Sequence, residues 1–363
     1  MPEILVATLS SAGRAEPLFS VAGDLVGRGH RVTVMTGVAH AESVRQLGAR
    51  LHPLPATADG EPSSHTAGAG PDDFSRRLPC QTVEFRRALG ERRYDVVIMD
   101  YGLSGIVPLL SGAATAVPPV LCYTPTPAVP AQLLEVGALF DRLIVPTVPS
   151  FEYPHNDLPA SLRFVGVVRP RPPDGFVPPA WWAELDGARP VVHVTQGTDN
   201  GDLSQLVEPC ISALADSDVT VVVSTGGRDP GALGIPLPAN AFVAEHLPQD
   251  LLLPKVDVLV TDGGYATVQP ALAAGVPIVV AGSTGDRAEV AARVAWSGTG
   301  INLQTGTPSP AAIAAAVQRI RSEAGFLRNA RRLEADFARR DGVAEIAALV
   351  DEVVGERAQR WAN

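Results

Sequence analysis

The stretch Val256-Asp257-Val258-Leu259-Val260-Thr261-Asp262-Gly263-Gly264-Tyr265-Ala266-Thr267 joins a short apolar run to a glycine-rich turn. Residues 256–260 are too few for a helix and read as a strand covered on both faces, as in a parallel sheet between helices. The apolar spacing over 267–274 predicts a helix just beyond the glycines. Small residues ahead of a helix let backbone N–H groups approach an anion, and the helix dipole favours negative charge there. Two other stretches repeat the arrangement. Thr195-Gln196-Gly197-Thr198 follows a strand at 191–194, and Gly282-Ser283-Thr284-Gly285-Asp286-Arg287 follows a strand at 276–280. One glycine pair before a helix is commonly a tight turn, but three such loops in register on one sheet edge predict a phosphate-bearing ligand.

Outward from these loops the same grammar continues. The second half adds a strand at 219–223 and helices at 203–215 and 288–296. Beyond Pro310 it is mostly helical, with Ile346, Leu349, Val350 and Val353 at helical spacing. The first half predicts strands at 4–9, 31–36, 95–99 and 120–123. Its helices fall at 17–27, with Pro17 in a tolerated first turn, and at 74–89. Between the halves runs Val168-Arg169-Pro170-Arg171-Pro172-Pro173, a composition that fixes backbone dihedrals and removes donors, as a stiff linker does. The expected organisation is α/β, with a first domain over 1–168, a proline-rich linker at 169–185 and a second domain over 186–342. A C-terminal helix at 343–363 is expected to pack back toward the first domain. Two Rossmann-like parallel sheets facing each other would bind a ligand in the cleft, at the carboxyl ends of their strands.

Composition narrows the function. A chain of 363 residues with 46% apolar and 19% charged residues supplies the core of two ordinary domains. A net charge of −10 argues against a nucleic-acid binder that neutralises phosphates in bulk. Cys80, Cys122 and Cys210 form neither a metal-ligand pattern nor a disulfide framework, which predicts a reducing compartment and no bound metal. The opening residues show no secretory signal. The most apolar stretch, 106–120, is broken by prolines and too short to span a bilayer, so a cytoplasmic protein without a transmembrane segment is expected. Ser10-Ser11-Ala12-Gly13-Arg14 lacks the dinucleotide-binding spacing, and with Lys255 as the only lysine no P-loop can form.

Residues 246–303 resemble the donor-binding signature of family 1 glycosyltransferases, through His246-Leu247-Pro248-Gln249, Thr261-Asp262-Gly263-Gly264-Tyr265, Ala271-Leu272-Ala273-Ala274-Gly275-Val276-Pro277 and Gly285-Asp286-Arg287. Ser10 to Pro17, followed by Arg28-Gly29-His30-Arg31-Val32-Thr33, resembles the family's opening. The resemblance implies the GT-B fold and an inverting transfer of a sugar from a TDP- or UDP-sugar to a small natural-product acceptor, as in antibiotic biosynthesis. The nucleotide sugar is then a co-substrate and no cofactor is required; a homodimer is left open. Carried over by position, Leu247, Pro248 and Gln249 line the nucleobase. Thr198 and Thr267 offer hydroxyls to the diphosphate, Gly263 and Gly264 offer amides, and Asp286 accepts sugar hydroxyls. As a bland alternative, Asp286 caps the helix that follows it.

Several positions depart from the family pattern. Its acceptor base falls at Arg14, and an arginine stays protonated. Arg14 could instead clamp an acidic acceptor or the departing diphosphate. Asp100 matches the carboxylate that orients the base and is the leading substitute for it. His65 is a weaker acceptor-side candidate. Asp262 stands where a histidine commonly meets phosphate, and a carboxylate about 4 Å from a phosphate charge costs roughly 4 kcal/mol at an effective dielectric near 20. Arg14, Arg228 or Arg287 would have to offset that cost. Arg287 itself replaces a glutamine, and Pro270 a glutamate that often holds the ribose. The alternative reading is therefore a catalytically impaired relative that acts as a binding or auxiliary partner, with a sugar-nucleotide epimerase further behind.

Overall fold

The computed structural model describes residues 1–59, 71–111, 117–125, 137–154, 158–170, 175–198 and 201–362. The chain divides into two compact units. One comprises Met1–Pro146, His155–Arg171 and Arg340–Asn363, the other Thr147–Pro154 and Pro172–Arg339.

In the first unit the strands are β1 (Glu3–Ala7), β2 (Arg31–Gly37), β3 (Arg50–Leu54), β4 (Val96–Asp100), β5 (Val120–Tyr123), β6 (Arg142–Val145) and β7 (Leu162–Phe164). Among the described residues they form a seven-stranded sheet in the order β3-β2-β1-β4-β5-β6-β7, and every pairing is parallel. Side chains alternate across it. Ile4, Val6, Val32, Val34 and Ile98 face α1 (Ala12–Gly27), whereas Leu5, Ala7, Met35, Val97 and Met99 share a core with Phe85 and Ala88 of α2 (Pro71–Glu91). Both faces are covered, which is why these strands read as unbroken apolar runs.

Helix α1 starts at Ala12, so Pro17 lies inside it and not in its first turn. Ser11 is the N-cap residue, and its carbonyl accepts from the amides of Arg14 and Ala15. The helix thus begins within the segment whose sequence suggests only a loop, and Arg14 rides on its first turn.

The second unit holds β8 (Val191–Thr195), β9 (Thr220–Ser224), β10 (Ala241–Ala244), β11 (Val258–Thr261), β12 (Ile278–Val280) and β13 (Gly300–Asn302). They are parallel in the order β10-β9-β8-β11-β12-β13. One face packs on α3 (Val207–Leu214) through Val207, Cys210, Ile211 and Leu214. The same face meets α6 (Pro310–Ser322) through Ile313, Val317 and Ile320. Between β12 and β13 lies α5 (Gly285–Trp296), after β11 comes α4 (Tyr265–Ala273), and α7 (Ala324–Phe337) follows α6. In both sheets the strand order reverses beside the first strand, between β1 and β4 and between β8 and β11. Open α/β sheets bind ligands at such a switch point, outside the carboxyl ends of the strands.

Two segments leave the simple half-and-half order. Helix α8 (Gly342–Ala362) belongs to the first unit, where Ile346, Leu349, Val350 and Val353 join the core formed by β1, β2 and α1. Residues Thr147–Pro154 belong to the second unit. There the Thr147 hydroxyl donates to Gln269 Oε1 at 2.9 Å, Ser150 donates to Asp336 at 2.7 Å, and Glu152 pairs with Arg293 at 2.8 Å. The Arg293 guanidinium also lies 4.4 Å from the centroid of the Tyr153 ring, which meets the Trp296 ring in a T-shaped contact. Burial raises the Glu152 carboxyl even beside Arg293. Among the described residues no helix is long and apolar enough to cross a membrane.

Candidate active site

At the switch point of the first sheet, β4 ends on Asp100, which is fully buried. Its Oδ1 accepts from Arg14 Nη1 at 2.7 Å and from the Gly102 amide at 3.0 Å, while Oδ2 meets no donor among the described residues. The Arg14 side chain keeps 34% of its surface exposed. A cation in the first turn of a helix opposes the helix dipole, and Asp100 offsets that cost. The turn after β4 must come close: a Cβ on Gly102 would lie 2.8 Å from both Arg14 Nη1 and Leu9 Cδ1. The β1–α1 loop is itself tied down, because Asp59 accepts from the Ser10 amide at 2.8 Å and from its hydroxyl at 2.5 Å. His40 Nε2 lies 2.8 Å from the Ser10 carbonyl. Burial, with the nearby Asp100 charge, raises the Cys122 thiol and the Tyr123 phenol on β5, and burial raises Tyr101.

The second sheet gathers its loops on one side. Register pairs Thr261 with Thr195 and with Val280, so β8, β11 and β12 end level with one another. Asp262, directly after β11, accepts from the Gly264 amide at 3.2 Å through Oδ1, and its Oδ2 lies 3.0 Å from Arg287 Nε. The two side chains are 9% and 23% exposed, so water screens the pair only in part. Gly263 has φ +91°, a conformation that favours glycine, and a Cβ there would press on Val280. A Cβ on Gly282 would lie 2.5 Å from the Asp262 carbonyl. These glycines let the β11 and β12 loops close on the first turn of α5. On the β8 side, Arg228 Nη2 donates to the Thr198 carbonyl at 2.9 Å and Nη1 to that of Thr225 at 3.1 Å, stitching two loops together. Gln196, fully buried, donates to the Asp202 carbonyl at 2.8 Å. Among the described residues no group of three or more His, Cys, Asp or Glu could hold a metal ion.

Known proteins resemble this chain along both of its halves. Residues 208–353 match the family model of the erythromycin biosynthesis protein CIII-like C-terminal domain. Over the whole length, the chain is 36% identical to 4'-demethylrebeccamycin synthase of Lentzea aerocolonigenes, covering 97% of this chain and 99% of that protein. The chain belongs to the family 1 glycosyltransferases. It is also 28% identical to UDP-glycosyltransferase 2 of Phaeomoniella chlamydospora, over 97% of this chain and 96% of that protein. Among solved structures, the glycosyltransferase of kitacinnamycin superposes with a TM-score of 0.78 at 25% identity, covering 97% of this chain and all of that one. The calicheamicin glycosyltransferase CalG4 shares the fold at the same TM-score of 0.78, with 23% identity and 98% of each chain covered. The fold is therefore GT-B, and the protein is a glycosyltransferase of the natural-product branch.

In this glycosyltransferase the sequence-derived candidates fall into three groups. Arg14 and Asp100 form one ion pair in the first unit. Asp262, Gly263, Gly264 and Arg287 form one cluster in the second, and Thr267 stands half-buried in the first turn of α4 beside it. Leu247, Pro248 and Gln249 follow β10 on the same side of that sheet, and Thr198 follows β8. The N-cap of α5 is Thr284, so Asp286 sits exposed within the first turn and does not cap the helix. His65 lies outside the described residues. Asp59, Gly102 and Asp202 carry no local motif, and Gln196 lies in the Thr195–Thr198 loop without being singled out by it. Only the strand order brings Asp59, 49 residues away, onto Ser10.

Proposed function

We propose that this glycosyltransferase is inverting, moving a sugar from a TDP- or UDP-sugar to a small natural-product acceptor without a metal or other cofactor. The observation that carries the reading is the level ending of β8, β11 and β12, which sets Thr198, Gly263, Gly264, Thr267 and the amide-rich first turns of α4 and α5 along one side of one sheet. Peptide dipoles and small hydroxyls are suited to a diphosphate. Leu247, Pro248 and Gln249 follow a strand three places from β11 in the sheet order, or about 14 Å at the usual strand spacing. An extended nucleoside diphosphate could rest its base there, its phosphates by Gly263 and its sugar hydroxyls on Asp286. Arg287 supports the same reading, since it holds the Asp262 carboxylate that would otherwise repel the phosphates.

In one in-line displacement the acceptor atom bonds to the anomeric carbon as the bond to the diphosphate oxygen breaks. That step inverts the carbon and draws on positioning and leaving-group stabilisation. Arg14 and Asp100 stand on the acceptor side. The test is calorimetric titration with uridine and thymidine diphosphates. Saturable heat with one of them is expected, and none with either overturns the reading. Inversion is checked by the anomeric proton coupling of the product.

A further inference from the structure

Every glycosyl transfer to an O–H or N–H group must dispose of a proton, and the described groups at the carboxyl ends of β1, β4 and β5 are poorly placed to take one. Arg14 is a permanent cation. Asp100 is fully buried: Oδ1 is engaged by Arg14 at 2.7 Å and by the Gly102 amide, and Oδ2, which meets no donor among the described residues, is closed off from the surface. Asp59 spends both carboxylate oxygens on Ser10. Cys122, Tyr101 and Tyr123 are raised by burial and stay protonated at neutral pH. Among the described residues His40 is the remaining base; its Nε2 lies 2.8 Å from the Ser10 carbonyl and must donate to it, which leaves only Nδ1 of a half-buried ring to take a proton. What this side offers a ligand is the part-exposed Arg14 guanidinium, fixed in place by a buried carboxylate.

We infer that the acceptor is an acidic hydroxyl compound, a phenol, enol or carboxylic acid, that arrives with its nucleophilic oxygen already ionised and is held there by Arg14. The inference rests on the transfer reading and names its substrate class. In this step the acceptor loses its proton to water before attack. The oxyanion then gives its electron pair to the anomeric carbon, and the carbon–oxygen bond electrons leave with the diphosphate. A planar guanidinium with several donors suits such an oxyanion.

The experiment combines the diphosphate titration with sugar transfer from UDP- and TDP-glucose to 4-nitrophenol, phenol and benzyl alcohol across pH. Transfer to 4-nitrophenol should exceed transfer to phenol near neutral pH, and benzyl alcohol should not react. The rising limb of kcat/KM should move with each phenol's own ionisation. Arg14→Gln should lose about 10²-fold in kcat/KM for 4-nitrophenol while keeping its diphosphate affinity, and Arg14→Lys should recover part of the loss. One shared pH limb for all acceptors, abolished by His40→Gln, overturns the inference in favour of an enzymic base. So does Arg14→Gln that loses diphosphate binding, since Arg14 then serves the donor. Diphosphate binding without turnover of either phenol at any pH counts against the acidic acceptor and leaves the transfer reading standing, whereas no diphosphate binding removes the transfer reading itself.

Discussion

Asp262 puts a negative charge beside the proposed diphosphate position, and Arg287 answers it from 3.0 Å. With Arg287→Ala the carboxylate loses that cation, and affinity for uridine or thymidine diphosphate should fall about ten- to a hundredfold by calorimetry. The double variant Asp262→Asn with Arg287→Ala should recover most of the loss, which a double-mutant cycle reads directly. Another residue acts on stability alone. His193 on β8 is 2% exposed, bonds Ser224 at 2.9 Å, and is pushed down by burial to about 4. Below the unfolded value near 6.5 the unfolded chain takes up this proton first, so stability falls as pH drops from about 6.5 to about 4. The total is about 3 kcal/mol; most of it should appear as a drop in the wild-type minus His193→Gln stability difference between denaturant unfolding at pH 7.5 and at pH 4.5. At this scale the residue types of the site were legible, because glycines, hydroxyls and acids cluster locally after strands. The pairs were not, since Arg14 and Asp100 are 86 positions apart and meet only through the strand order.

Among the elements, strands with long apolar runs were legible, and those that fill the margins of the sheets were not. Residues Arg50–Leu54, Leu162–Phe164, Ala241–Ala244 and Gly300–Asn302 form the outermost strands, and Arg142–Val145 lies one place in. Outer strands pack on fewer neighbours, so their side chains need not be uniformly apolar; β3 even carries a histidine and a proline. Pro17 misled for a different reason. A proline reads as a helix start, yet inside α1 its missing N–H forfeits only the bond to the Gly13 carbonyl, and core packing by Leu18, Val21, Ala22 and Leu25 outweighs that. Helix α8 is sequence-distant but integral to the first core. Ile346→Ala, at a fully buried position, should destabilise by about 2–5 kcal/mol in denaturant unfolding. The change should fall on the transition of the first unit and leave diphosphate affinity intact.

At the scale of the whole molecule, the proline-rich stretch at mid-chain hinted at two halves, but the halves are not contiguous. The chain passes between units near residues 146, 154, 171 and 339. No composition shift marks the first two passages, because Thr147–Pro154 is held by individual contacts such as Glu152 with Arg293. A chain ending at Arg339 should therefore lose cooperative unfolding of the first unit while still giving heat with uridine or thymidine diphosphate.

That interleaving also sets a timetable for biosynthesis. On the ribosome the sheet of the first unit emerges before the second unit, yet helix α8, which joins the core on one of its faces, is translated after that unit. The later sheet has all its strands and helices once residue 339 is out. The half made earlier thus closes later, and until α8 arrives the apolar surface it shares with α1 stays open to whatever chaperone is at hand.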